Sequence, residues 1–191
     1  MLRAEILDAA EGLLVATGDE SALSIRAIAK AVGVTPPSIY LHFADRNELI
    51  FAVVEEQFRQ LDRQMQQAVE GVDDPMARIA RRGQAYVDFG LANPEHYRLL
   101  MMGRPDCTPD RFVDERLGTT ATFEHVVEDV QAAIAAGQLP FGDPVLVSCG
   151  LWMVVHGVTS LLITKPEFPW PDRATLMEHV LTVYRVGLAS S

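Results

Sequence analysis

Apolar positions recur at helical spacing along nearly the whole chain, and no stretch shows the apolar-polar alternation of a half-buried strand, so the expected fold class is all-α. Ile6, Ala9, Ala10, Leu13 and Leu14 mark one face of a first helix over about 2–17, with Gly18 at the position after it that favours positive φ. Ser24 is a good N-cap for a short second helix whose Ile25, Ile28, Ala29 and Val32 face one way, and Gly33 ends it. A third short helix opens at Thr35 as cap, followed by Pro36 and Pro37. Proline is tolerated there because first-turn amides have no acceptor within the helix. It ends near His42. Asp45 and Glu48 then form a capping box ahead of a long amphipathic helix to about residue 70. Turn signals separate further helices over 76–92, 94–102, 111–136, 144–164 and 173–188, about nine in all, with no internal repeat.

Composition narrows the class. A chain of 191 residues with 49% apolar and 22% charged residues can bury its own core as one large or two small domains. Its net charge of −10 argues against indiscriminate binding to polyanions. A local exception exists: residues 21–44 contain no Asp or Glu but do contain Arg26 and Lys30, and Arg46 lies just beyond. The other acid-free stretch, 144–166, is almost continuously apolar and near the length that spans a bilayer. Ser148, Gly150, His156, Gly157, Thr159 and Ser160 interrupt it and no basic cluster flanks it, so a helix buried in a domain or subunit interface is expected rather than a membrane anchor. Two cysteines, Cys107 and Cys149, exclude a disulfide framework and a four-cysteine zinc site. With no apolar signal segment in the first residues, the expected compartment is the cytoplasm.

Two short helices joined by a tight turn at Gly33 have the spacing of a helix-turn-helix, which lays its second helix in the DNA major groove. The run from Ser24 to Leu49, with Ile39-Tyr40-Leu41-His42-Phe43 as its most specific part, resembles the DNA-binding domain of TetR-type transcriptional repressors over roughly 2–54. Tyr40, His42, Thr35 and Arg46 are suited to phosphate oxygens, which position a protein without reading sequence. Pro36, Pro37, Ser38 and Leu41 are expected on the groove-facing side, and Ile28, Ile39 and Phe43 underneath as packing. The resembled family usually carries a basic arm ahead of the first helix; here only Arg3 precedes the helical pattern. Residues 1–50 hold four basic against seven acidic side chains, so the direction of each charge matters more than the sum.

Asn93-Pro94-Glu95-His96-Tyr97 and Trp152-Met153-Val154-Val155-His156-Gly157 look like the C-terminal domain of a TetR subgroup named for its Trp, His and Gly. That resemblance implies a DNA-binding domain over 1–47 and a helical regulatory domain over 48–191. The latter would enclose a small-molecule site and form a homodimer through helices 144–164 and 173–188. Candidate effector contacts are Phe89, Tyr97, Met101, Phe112, Phe123, Cys149, Trp152, Met153 and His156, with Tyr86 and Thr159 as further polar handles. The small residues Ser148, Gly150, Gly157 and Ser160 would let helices approach closely at the subunit contact. Arg98 and Asp88 are expected at surfaces, which leaves a lining suited to a mostly apolar effector.

Enzyme chemistry has little support. Cys149 and His156 stand two turns apart on one helix, and no nucleophile-base order, phosphate loop or His-Glu-x-x-His occurs. Glu124, His125, Glu128 and Asp129 could place metal ligands on one helix, but a solvated acidic face accounts for them. The expected partners are therefore a palindromic double-stranded operator, a small effector and a second copy of the chain, with no cofactor or metal. A structural or membrane-associated helical protein is the alternative.

Overall fold

The computed structural model describes residues 2–18, 23–101, 119–140 and 142–189. Among them are nine helices and no strand: α1 Leu2–Thr17, α2 Ile25–Val32, α3 Pro36–Tyr40, α4 Arg46–Gln67, α5 Pro75–Ala92, α6 Pro94–Met101, α7 Thr119–Ala135, α8 Pro144–Thr164 and α9 Arg173–Ala189. They group into two compact units. One is Met1–Gln60 with Asn93–Gly118, the other Leu61–Ala92 with Thr119–Ser191, so α4 runs through both and α6 joins the N-terminal helices.

In the first unit the short helices form where local chemistry stops them from lengthening. The Ser24 hydroxyl accepts from the Ala27 amide and caps α2. At the other end Gly33 takes φ 79°, a left-handed conformation that β-carbon sterics make costly for other residues. There the Gly33 and Val34 amides both close on the Ala29 carbonyl, at 3.0 and 2.9 Å. That turn aims α3 away from α2. Ile28 and Ile39 are completely buried and Phe43 nearly so; each such side chain removed from water contributes about 1.5–3 kcal/mol, which fixes α3 at its angle. On α6, Tyr97 is buried and His96 Nε2 lies 3.3 Å from a Glu11 carboxylate oxygen of α1.

The second unit is built on α5, which packs against α7 and α8, with α9 on α8. Ile79, Val130, Ala133, Leu139, Val147 and Leu151 form its apolar core. Gly150 of α8 permits a close approach: a β-carbon there would collide with the Tyr184 hydroxyl, which donates to the Val147 carbonyl at 3.0 Å.

Boundaries depart from the sequence reading in a few places. Helix α4 stops at Gln67, because the chain tightens into three-residue turns at Val69 and Glu70 before Gly71. Helix α5 starts at Pro75, with Asp74 accepting from the Ala77 amide. Helix α7 is described from Thr119; its expected start at 111, and Phe112 with it, lie outside the described residues. The capping box before α4 closes one residue early, the Glu48 carboxylate taking the Ala44 amide while Asp45 takes that of Glu48.

Candidate functional site

The exposed end of the first unit is α3 with its flanks. Ile39 points inward, and the opposite side of this single-turn helix carries Pro37 and Leu41, four residues apart. Leu41 is 83% exposed, the most open large apolar side chain among the described residues. Ser38 flanks this ridge on one side and Tyr40, 52% exposed, on the other, while Pro36 is half-buried and His42 open to solvent. Arg26 is exposed on α2.

Two side chains do something other than the sequence suggested. Thr35 occupies the N-cap position in extended backbone, yet its hydroxyl caps nothing; it pairs with the Ser38 hydroxyl at 3.0 Å. Arg46 uses Nε to hold the Leu23 carbonyl at 2.9 Å, tying the start of α4 to the segment that precedes α2. Arg3 is likewise turned toward the fold, its guanidinium 5.1 Å above the Phe43 ring.

In the second unit, Tyr86, Phe123, Trp152 and His156 come together. The Trp152 indole N–H donates to the Tyr86 oxygen at 3.3 Å, and that hydroxyl lies 3.4 Å from His156 Nδ1, where it can donate to the neutral imidazole. The Phe123 and Trp152 rings stand 6.1 Å apart at 53°. Burial pushes the His156 imidazole below its ordinary range, favouring the neutral form. Phe89 is fully buried and Cys149 is a half-buried free thiol. Tyr97 and Met101 belong to the first unit, on α6.

Met153 is 72% exposed beside Leu146, at 71%, and Trp152 is 45% exposed. Two expectations about α8 need correction. The Thr159 hydroxyl is wholly buried and donates to the Val155 carbonyl of its own helix, so it is no polar handle. Ser148 is also buried, bonded to the Pro144 carbonyl, and Gly150 receives Tyr184 of the same chain; neither small residue is left for a partner. Arg98 and Asp88 pair with Glu95 and Arg173 at the surface as expected.

The acidic face expected on α7 is only partly one. Glu124 and Glu128 are exposed, but Asp129 is buried at 1% and paired with Arg82 at 2.5 Å and Arg78 at 2.7 Å. Arg82 also reaches the Met65 carbonyl and Gln66, whose amide meets His125, and His125 lies 3.2 Å from Asp62. The signal lay on α5: Arg82 falls in register with Ile79, Tyr86 and Phe89, and a guanidinium inside an apolar stripe requires a buried carboxylate. Among the described residues, no group of three or more His, Cys, Asp or Glu could hold a metal ion.

A surface helix carrying an open apolar-and-hydroxyl face, set by a tight glycine turn on a second helix, defines a helix-turn-helix DNA-binding protein. Residues 6–53 match the bacterial regulatory proteins of the tetR family, and residues 79–184 match the tetracyclin repressor-like C-terminal domain. The chain belongs to the TetR family: it is a DNA-binding transcriptional regulator, and its family are regulators rather than enzymes. It is similar to a Rhodococcus sp. RHA1 protein of unknown function, with 27% identity over 99% of this chain and 96% of that one and a TM-score of 0.85. FadR of Bacillus subtilis, solved with stearoyl-CoA, shares the fold at 16% identity, over 96% of this chain and 98% of that one, with a TM-score of 0.79. A tetR-family regulatory protein of Rhodococcus RHA1 does so at 18%, over 97% and 96%, with a TM-score of 0.71.

Proposed function

We propose that the protein is a cytoplasmic, homodimeric repressor that leaves a palindromic operator when a small, mostly apolar effector binds its regulatory half. In this reading 1–47 bind DNA and 48–191 sense the effector and dimerise. Arg26, Thr35, Pro36, Pro37, Ser38, Tyr40, Leu41, His42 and Arg46 face or brace the duplex. The observation that supports the effector class is the Tyr86, Trp152 and His156 chain beside Phe123: aromatic surface with a few hydrogen-bonding atoms and a neutral imidazole. The one arginine buried among the described residues is already neutralised by Asp129, so a multiply charged effector would find no ready counter-charge there.

Dimerisation is supported by α8. It is long and apolar enough to cross a membrane, yet only 28% of its most apolar 18-residue window is buried within the chain. Leu146 and Met153 on α8, with Val183 and Val186 on α9, leave an apolar surface that a second copy would cover as a two-fold four-helix contact. Gly157, with open space around it, and Ser160 are the small residues left for close approach.

The test is a titration of labelled operator complex with a panel of neutral and weakly acidic hydrophobic compounds, followed by anisotropy, for wild type and His156→Phe. The variant should bind operator normally and shift the effector concentration needed for release. Release only by a highly charged metabolite, or identical titrations, would refute the apolar-effector reading.

A further inference from the structure

The recognition helix carries no side chain of the kind that reads a base with two hydrogen bonds: between Thr35 and His42 there is no Arg, Lys, Asn or Gln. Its polar groups are poor discriminators. Ser38 and Thr35 share a hydrogen bond at 3.0 Å in which either can be the donor, so the pair can turn to meet a donor or an acceptor on a base edge. What the helix does present is an apolar ridge. Pro37 and Leu41 stand four residues apart on the side opposite Ile39, and Leu41 is 83% exposed.

On the major-groove edge of the four bases, the one methyl group, and the largest apolar surface, is the C5-methyl of thymine. Leucine pressed against N7, O6, N4 or N6 atoms would strip them of water and return no hydrogen bond, whereas against a methyl group both partners leave water together. We propose that this protein chooses its operator by thymine methyl groups: the Pro37-Leu41 ridge specifies one or two T·A pairs at the centre of each half-site. Tyr40, His42 and the hydroxyl pair set register without fixing a base. The inference rests on DNA binding through α3 and adds what α3 reads.

The experiment uses the full chain and the duplex it selects from a random pool. Each thymidine of one half-site is replaced singly by deoxyuridine, which lacks only the methyl group, and affinity is measured at fixed salt. One or two replacements should each weaken binding about four-fold, the worth of one buried apolar carbon, and the others should be silent. Leu41→Ala should abolish sensitivity at one of these positions; because the side chain is exposed, its melting temperature should match wild type. Tyr40→Phe should weaken binding while keeping the methyl pattern. Deoxyuridine that is silent everywhere on a tightly bound duplex, a half-site centre specified as G·C, or undiminished methyl sensitivity in Leu41→Ala overturns the proposal alone. If wild type selects no duplex, DNA binding through α3 falls and the proposal with it.

Discussion

Asp129→Asn isolates the charge of the buried network with almost no change in shape. Asp129 is 1% exposed and is the counter-charge of Arg82, itself buried, and of the partly exposed Arg78. The asparagine oxygen can still accept one hydrogen bond, but a guanidinium shut away from water loses its compensating charge. Removing one partner of such a pair costs about 3–5 kcal/mol, and the retained hydrogen bond places the variant near about 3. For a chain of this size that corresponds to a fall of about 6–12 °C in melting temperature. The contrast is the double variant Arg82→Met with Asp129→Leu, which takes both charges out together. Apolar residues of similar volume can replace a buried pair at little cost, so the double variant should recover at least half the loss. Urea unfolding followed by far-ultraviolet circular dichroism at matched protein concentrations measures all three. An Asp129→Asn stability within about 0.5 kcal/mol of wild type, or a double variant less stable than the single, would refute the claim that this pair is buried and paired as described.

Ser24→Ala removes the side-chain cap from α2 and should cost about 1 kcal/mol, read from the same unfolding curves. Gly150→Ala puts a β-carbon against the Tyr184 hydroxyl; it should destabilise by about 1–3 kcal/mol and be less than additive with Tyr184→Ala. Burial holds the His156 pKa below 6.5, so as pH falls below that value the unfolded chain takes up a proton before the folded one does, and stability declines on the acid side. His156→Gln should flatten that decline in melting temperature between about pH 7.5 and 5.5, and an unchanged slope would place the imidazole in water.

The N-terminal half was legible because its local rules agree with one another. Ser24, Gly33 and the early prolines act within a few residues, and the bounds of α1, α2 and α8 fall where periodicity and caps put them. The misreadings have three different physical causes: a partner distant in sequence, a competing local hydroxyl, and a helix apolar on every side. Asp129 looked solvated because Glu124 and Glu128 are, and its arginines lie some 50 residues away on α5. Thr35 had cap chemistry, but Ser38 offered its hydroxyl another partner. On α8, apolar residues surround the whole circumference, so composition could not say that Met153 points out while Ser148 and Thr159 point in. The aromatic and polar cluster around Tyr86 was legible only as a set of residue types; its distances required α5, α7 and α8 to be in place.

In the proposed function, two copies of this chain present two recognition helices to successive major grooves of one operator. Selection of random duplexes by the purified protein, with the mass of the complex read by sedimentation, tests it directly. The expected result is an enriched palindrome whose half-site centres lie a whole number of helical turns apart, about 10 base pairs or a multiple, bound by an even number of chains. An unenriched pool, or an asymmetric site bound by a single chain, would contradict it.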